Sequence, residues 1–328
     1  MNTAVYLIHA GGTFGSHGTP LSPLSADEFL PILQAHCRIK LPNIDIATLS
    51  NKIIKDSSTL TPSDFVQLYG LILQAYAKGG RKFVLITGTD TLSFLAAFLA
   101  HALKDLTDLS LVITGSMQPL LISDEAVYTI DDHSDAWMNL AASISDAMAH
   151  TGVFVQFAEK LMDALDTQKI NNQDHDAFVG KVITHKKTNR SVFNEAFEYN
   201  SPHHTINDKL AQLPTLLNHA KHTQITAIYC LPNDVKNLEH QLTQLHDDAK
   251  AVILIAFGKG NLPSSQTLKQ LLEELQAKKV MVICTTMCAF GGISTDYAAG
   301  SWQYQYGVQA SHLGIAGTYG KTLWQVLQ

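Results

Sequence analysis

Residues 83–103 read FVLITGTDTLSFLAAFLAHAL, and this stretch decides the fold class. FVLI is a short apolar run with no polar alternation, the pattern of a strand buried on both faces. GTDT (88–91) then supplies a glycine and three small polar residues, the composition of a tight turn. LSFLAAFLAHAL follows with the apolar spacing of a helix that packs on a sheet. Strand, turn and helix in that order form the repeating half-unit of a parallel α/β sheet.

The unit recurs in both directions from there. Upstream, AVYLIHA (4–10) is strand-like and runs into GGTFGSHG. Downstream, LSLVITGSMQPL (109–120) is a strand and turn, DAWMNLAASISDAMAH (135–150) a helix, and GVFVQFAEKL (152–161) a further strand. The pattern weakens over KKTNRSVFNEAFEYNSPHHTINDKLAQLP (186–214), which is polar and punctuated by Pro202 and Pro214. Strand–turn–helix units then resume with TAIYCLP (226–232), AVILIAFGKGNLPSS (251–265) before a helix over 266–278, and VMVICTTM (280–287). The expected architecture is two α/β domains. A larger N-terminal one (1–190) is built on a doubly wound, mostly parallel sheet. A linker (191–215) leads to a smaller Rossmann-like α/β domain (216–328). In such sheets ligands sit beyond the carboxyl ends of the strands, where the Gly/Thr/Asp turns fall.

Bulk composition narrows the function. The 328 residues are 46% hydrophobic and 16% charged, enough to bury a sizeable core. A formal charge of −6 offers no basic field for nucleic acid or anionic lipid. No apolar run approaches the ~18–20 residues that span a bilayer, and nothing after Met1 reads as a secretory leader. The four cysteines (Cys37, Cys230, Cys284, Cys288) form neither a disulfide framework nor a usual zinc pattern. The 15 histidines include no H-E-x-x-H pair. The expectation is a soluble cytoplasmic protein that binds neither metal nor membrane nor nucleic acid.

Three strand ends carry hydroxyls or carboxylates: Thr13 after the first strand, KDSSTLTP (55–62), and TGTDT (87–91). A threonine becomes a nucleophile only when a base or polarising network takes its proton. Glycines beside it admit a substrate and free backbone N–H groups for an oxyanion. Each segment also has a purely structural reading. GG is common turn punctuation, and the KDSSTLTP and GTDT segments could simply cap the helices that follow them. GGTFGS lacks both the P-loop ending and the G-x-G-x-x-G spacing.

Taken together, these segments resemble the bacterial-type L-asparaginase family, nearest its cytoplasmic type I branch. HAGGTFG is similar to the family's first signature and TGTDTLSFLAA to its second; KDSSTLTPSDF is similar to the type I D-S-S-D-M-T-P segment. GVFVQFAEKLMDALDTQKINNQDHDAF matches the lysine-bearing segment, placing that lysine at Lys169 rather than Lys160. FGKGNLP, TTMC and YAAG resemble C-terminal segments of the type I branch.

The resemblance implies an amidohydrolase that converts L-asparagine to L-aspartate and ammonia. Thr13 would be the nucleophile, and Thr89, Asp90 and Lys169 would handle its proton. Asp56, Ser57, Ser58, Thr89 and Asp90 would bind substrate. No metal or organic cofactor is implied, and the chain would assemble as a homodimer or homotetramer. Two rival readings keep the scaffold: a hydrolase of another small amide such as glutamine, and a binder of asparagine or aspartate without turnover. The departures that motivate them are specific. The family's loop tyrosine has no counterpart from Phe14 to Arg38, where His17, Thr19, Ser22 or a tyrosine from elsewhere would have to serve. Thr59 and Lys259 replace commoner residues. Ile255 stands where the regulated type I enzymes have arginine, which argues against activation by asparagine, although Cys288 matches their cysteine.

Overall fold

The computed structural model describes residues 4–122, 128–183, 205–294 and 300–328. The chain forms two compact units, residues 1–217 and 218–328.

In the first unit, β1 (Val5–His9) leads through a 3₁₀ turn at Thr13–Gly15 to a small ladder of β2 (Ser16–His17) with β3 (Ser22–Pro23). Helix α1 (Ala26–Lys40) opens on a reciprocal capping box between Ser25 and Glu28. After β4 (Ile46–Leu49) and a second 3₁₀ turn at Ser57–Thr59 comes α2 (Pro62–Ala77). The cap of α2 is Thr61, boxed with Asp64, with Pro62 in the first turn where its missing N–H costs nothing. The succession continues with β5 (Lys82–Ile86), α3 (Leu92–Leu103), β6 (Ser110–Thr114), α4 (Asp135–Ala149), β7 (Gly152–Phe157) and β8 (Lys160–Asp163). A short antiparallel hairpin of β9 (Gln168–Lys169) with β10 (Phe178–Val179) follows.

The sheet order is β4-β1-β5-β6-β7-β8, parallel throughout except for β8, which runs antiparallel to β7. The chain leaves β1 toward β4 on one side and returns to β5 on the other. The winding therefore reverses at the β1/β5 pair, the topological switch point where a crevice opens beyond the strand ends. Alternation sorts the core. Val5, Leu7, Val84, Ile86 and Val112 share one cluster with Phe29, Leu33, Leu140 and Ile144 of α1 and α4. Phe83, Leu85 and Ile113 point the other way and are fully buried, as are Phe98 of α3 and Leu68 of α2. Burial on both faces is why these strands carry no polar alternation.

Helix α5 (Ile206–His222) contains Pro214 in its interior. Of the expected linker 191–215, residues 191–204 lie outside the described residues and 206–215 are helical. Packing overrides the helix-breaking tendency there. Leu213 lies against Gly70 of α2, and the buried Lys209 ammonium donates to Asp105 at 3.1 Å.

The second unit holds β11 (Gln224–Tyr229), α6 (Val235–Thr243), β12 (Ala249–Ala256), α7 (Gln266–Ala277), β13 (Met281–Thr286), β14 (Gln309–Ala310) and α8 (Ile315–Leu327). Its sheet is parallel in the order β11-β12-β13-β14. Leu238, Leu268 and Leu272 close one face over Val252, Leu254 and Cys284.

Candidate functional site

The turn that follows β1 explains its own sequence. Gly11 and Gly12 have φ of +95° and +84°, a region L-residues rarely adopt. Neither has room for a side chain. A Cβ at Gly11 would lie 2.2 Å from the Lys55 carbonyl oxygen, and one at Gly12 would lie 2.2 Å from the Gly88 Cα. The two glycines thus let three loops meet backbone to backbone: 10–13 after β1, 55–59 after β4, and 87–91 after β5. Thr13 opens the 3₁₀ turn at this junction and is half-buried; its carbonyl accepts from the Ser16 N–H, and the Ser16 hydroxyl donates to the Gly12 carbonyl at 2.9 Å.

Thr89 and Asp90 occupy the neighbouring turn between β5 and α3. Lys169, on β9, reaches both: its ammonium donates to Thr89 Oγ1 at 2.8 Å and to Asp90 Oδ1 at 2.7 Å. The Lys169 side chain is 19% exposed and that of Asp90 60%. A cation held against a hydroxyl oxygen favours the alkoxide, and a carboxylate beside it accepts protons or binds a substrate cation. Lys160 has a different partner. It pairs with Asp176 at 2.6 Å, tying the end of β8 to the loop between β9 and β10.

The 55–59 segment divides its labour. Asp56 Oδ1 accepts from the Ser58 N–H at 2.8 Å and the Ser58 hydroxyl at 2.7 Å, bonds that hold its carboxyl below the usual carboxylate range. Ser57 is buried. Its Oγ accepts from the Asp90 N–H at 3.3 Å, and its carbonyl accepts from the Thr91 hydroxyl at 2.8 Å. The side chains of Thr91 and Asp56 do not cap α3 or α2. Thr91 is bonded to Ser57, and Asp56 caps only the 3₁₀ turn at Ser57–Thr59.

Four further residues surround the site: His9, Lys55, Asp64 and Tyr128, none of which the sequence signatures mark for a role. His9, the last residue of β1, is fully buried, and both its ring nitrogens lack a hydrogen-bond partner among the described residues. Its ring lies against Gly15 and stacks tilted on Phe29 at 4.7 Å, and burial pulls its imidazole down to about 4, so it is neutral at pH 7. Lys55 and Asp64 form a tight ion pair, both carboxylate oxygens lying 2.9 Å from Nζ. Burial raises the Asp64 carboxyl, but the Lys55 ammonium and the Thr61 donors outweigh it and hold the group below its ordinary value. Tyr128 meets His17 edge to face at 5.1 Å, which brings a phenol to the loop that follows Thr13 although the loop has none of its own. His9, Lys55 and Asp64 lie within the HAGGTFG and KDSSTLTPSDF segments, but no local feature marks their contacts, and a lone lysine reads as solvated.

In the second unit, the Phe257–Asn261 turn carries Lys259, Cys288 is exposed, and Tyr297 of YAAG lies outside the described residues. Among the described residues no group of three or more His, Cys, Asp or Glu could hold a metal, and no helix is long and apolar enough to cross a membrane.

A doubly wound parallel sheet with two threonine turns, an ammonium and a carboxylate at its switch point defines an α/β protein whose polar chemistry sits at the carboxyl ends of β1 and β5. Comparison with known proteins makes the class specific. A family model described as "Asparaginase, N-terminal" matches residues 4–204, more than half of the chain. The chain belongs to the asparaginase family, and this membership supports an amidohydrolase. It is 25% identical to a glutamyl-tRNA(Gln) amidotransferase component of Nanoarchaeum equitans, over 87% of this chain and 68% of that one. It is 23% identical to Escherichia coli L-asparaginase 1, over 96% of this chain and 86% of that one. An L-asparaginase of Dirofilaria immitis matches at 26% over 77% of this chain but only 40% of its own length. Among solved structures, L-asparaginase I from Vibrio cholerae superposes with a TM-score of 0.73 at 21% identity, covering 100% of this chain and 94% of that one. The thermostable L-asparaginase from Thermococcus kodakarensis gives 0.70 at 20% identity, covering 99% and 96%. At these identities the structural likeness is one of fold.

Proposed function

We propose that the protein is an L-asparaginase that works through a covalent intermediate on Thr13. The Thr13 hydroxyl attacks the side-chain amide carbon of L-asparagine, and its proton passes by way of Thr89, Asp90 and Lys169 to the leaving nitrogen. Ammonia departs, leaving a β-aspartyl ester on Thr13. Water then hydrolyses the ester and returns the proton to the threonine. Asp90 also meets the substrate's α-ammonium, Ser57 binds its α-carboxylate or α-amino end, and Asp56 and Ser58 complete the binding set. The observation that carries the reading is the Lys169 ammonium within hydrogen-bond reach of both Thr89 and Asp90, in a turn packed against the one that bears Thr13.

Glutamine is the rival substrate, favoured by the Nanoarchaeum equitans relative, whose name joins glutamine to an amidotransferase. The difference is one methylene, worth about 1–3 kcal/mol in a fitted pocket. We also place the enzyme in the cytoplasm, as its four unpaired cysteines suit a reducing compartment. Self-association as a homodimer or homotetramer is supported by Tyr229, Leu231, Met287 and Phe290, large apolar side chains exposed on the second unit.

Ammonia release from L-asparagine and L-glutamine, by wild type beside Thr13→Ala and Thr89→Val, tests the mechanism. Wild type is expected to release ammonia from asparagine and both variants to lose it while keeping the wild-type circular dichroism spectrum. A Thr13→Ala variant that still turns over asparagine refutes the covalent step. Binding of asparagine by wild type with no ammonia release refutes the enzyme reading in favour of a binder.

A further inference from the structure

The loop from Lys55 to Asp64 touches both threonine turns and is closed on itself by one carboxylate. At its first residue, the Lys55 peptide clamps the strand end that leads to Thr13. The Lys55 N–H donates to the Ala10 carbonyl at 3.3 Å, and the Gly12 N–H donates to the Lys55 carbonyl at 3.1 Å. In its middle, Ser57 accepts from the Asp90 N–H and from the Thr91 hydroxyl, fastening the turn that bears Thr89. Its ends are drawn together by Asp64. The two carboxylate oxygens receive Lys55 Nζ, each at 2.9 Å, and Oδ2 also receives the Thr61 N–H and hydroxyl, each at 2.8 Å.

The Asp64 side chain is 6% exposed, whereas that of Lys55 is 40%. An ammonium 40% exposed gains little net stability from an ion pair, because solvent screens it. A buried carboxylate that accepts four hydrogen bonds from three donor groups is, by contrast, a rigid anchor, since losing any donor leaves buried lone pairs unsatisfied. The value of the pair is therefore geometric. It fixes where the Lys55 peptide sits relative to the first turn of α2, and through that peptide where Gly12 sits relative to Gly88.

We propose that the Lys55–Asp64 ion pair is a positioning device that holds the 55–61 loop as a clasp between the Thr13 turn and the Thr89–Asp90 turn. The consequence for catalysis rests on the asparaginase reading above; the clasp itself does not. Lys55 and Asp64 touch no substrate in this scheme and act through the two turns.

Lys55→Met keeps the aliphatic stem and removes the donor, and Lys55→Arg restores a donor to the same carboxylate. Amide hydrogen exchange reads the clasp without any need for activity. In Lys55→Met the Gly12 and Asp90 amides are expected to exchange at least tenfold faster, while those of Leu7 and Val84 inside β1 and β5 keep their wild-type rates. A variant that is only less stable overall would accelerate all four together. In Lys55→Arg the Gly12 and Asp90 rates should return to within about threefold of wild type. In steady-state assays, kcat for asparagine should fall about tenfold or more in Lys55→Met, with KM within threefold, and recover in Lys55→Arg. Unchanged exchange at Gly12 and Asp90, or equal acceleration of all four amides, overturns the clasp. Faster exchange at the two turns with an unchanged kcat overturns its catalytic role. Absence of ammonia release by wild type refutes the asparaginase reading instead, and the exchange data then decide the clasp alone.

Discussion

Replacing Gly12 with alanine perturbs the closest approach in the site. Gly12 has φ of +84° and ψ of −177°, a combination adopted almost only by glycine. Holding alanine there costs about 1–3 kcal/mol. The new methyl would sit 2.2 Å from the Gly88 Cα and 2.4 Å from the Gly88 nitrogen. Both are backbone atoms, so no side chain can rotate away. The two turns must separate by roughly 1 Å, and overpacking of this kind costs about 1–3 kcal/mol more. The combined loss of about 2–6 kcal/mol is a large share of the ~5–15 kcal/mol that stabilises a typical domain. At about 2–4 °C per kcal/mol, Tm should fall by roughly 4–24 °C. A displacement of ~1 Å between Thr13 and its proton partners should cost about 100-fold in kcat.

Melting followed by circular dichroism gives the first number, and ammonia release at a temperature where both proteins are folded gives the second. Gly79→Ala is the control. Gly79 also has a positive φ, +97°, but nothing lies within 4 Å of its Cβ position. It should lose about 1–2 kcal/mol from strain alone and keep its kcat. A Gly12→Ala protein that melts and turns over like wild type would refute the close-packed junction of the two turns.

Lys169→Met should lower kcat by about 100-fold or more, the scale of general acid–base catalysis. Its effect on stability should be small, because an ion pair with an Asp90 side chain 60% exposed is worth about 0–1 kcal/mol. A kcat within tenfold of wild type would remove Lys169 from the proton-handling set. His9 makes stability depend on acidity. Its folded-state value of about 4 lies below the 6.5 of the unfolded chain, so between these values the unfolded state binds more protons. Stability from this group therefore declines as pH falls from about 6.5 to about 4, by about 3 kcal/mol in all. His9→Leu should remove that part of the acid limb in urea melts taken across the range, and parallel pH profiles for the two proteins would contradict the burial argument.

Much of the fold was legible because burial on both faces leaves a mark that any single strand carries. VYLIH, KFVLI, SLVIT and AVILIA are apolar without alternation, and each precedes a turn and a helix. The Gly-Gly-Thr and Gly-Thr-Asp-Thr turns were legible for a related reason, since a backbone that must bend or be approached closely restricts residue type locally. The elements that escaped notice are those held by partners distant in sequence. β4 (IATL) and the two-residue β9 have little intrinsic signal and exist because β1 and β10 offer them a ladder. Residues 206–215 read as linker because Pro214 and the surrounding polar residues look like punctuation, while contacts with α2 and Asp105 hold them as helix.

The sequence by itself determined the α/β class, the succession of strand, turn and helix, and the residue types gathered at the strand ends, because these follow from local periodicity and local backbone demands. Only the tertiary structure decided which of those residues meet. The reversal of winding between β1 and β5 sets Gly12 against Gly88. A hairpin 80 residues on delivers the Lys169 ammonium to Thr89. The Lys55–Asp64 pair, the orphaned imidazole of His9 and the approach of Tyr128 to His17 belong to that second category. Each is a contact whose energy depends on distance and burial, and neither quantity is written in the identity of a single residue.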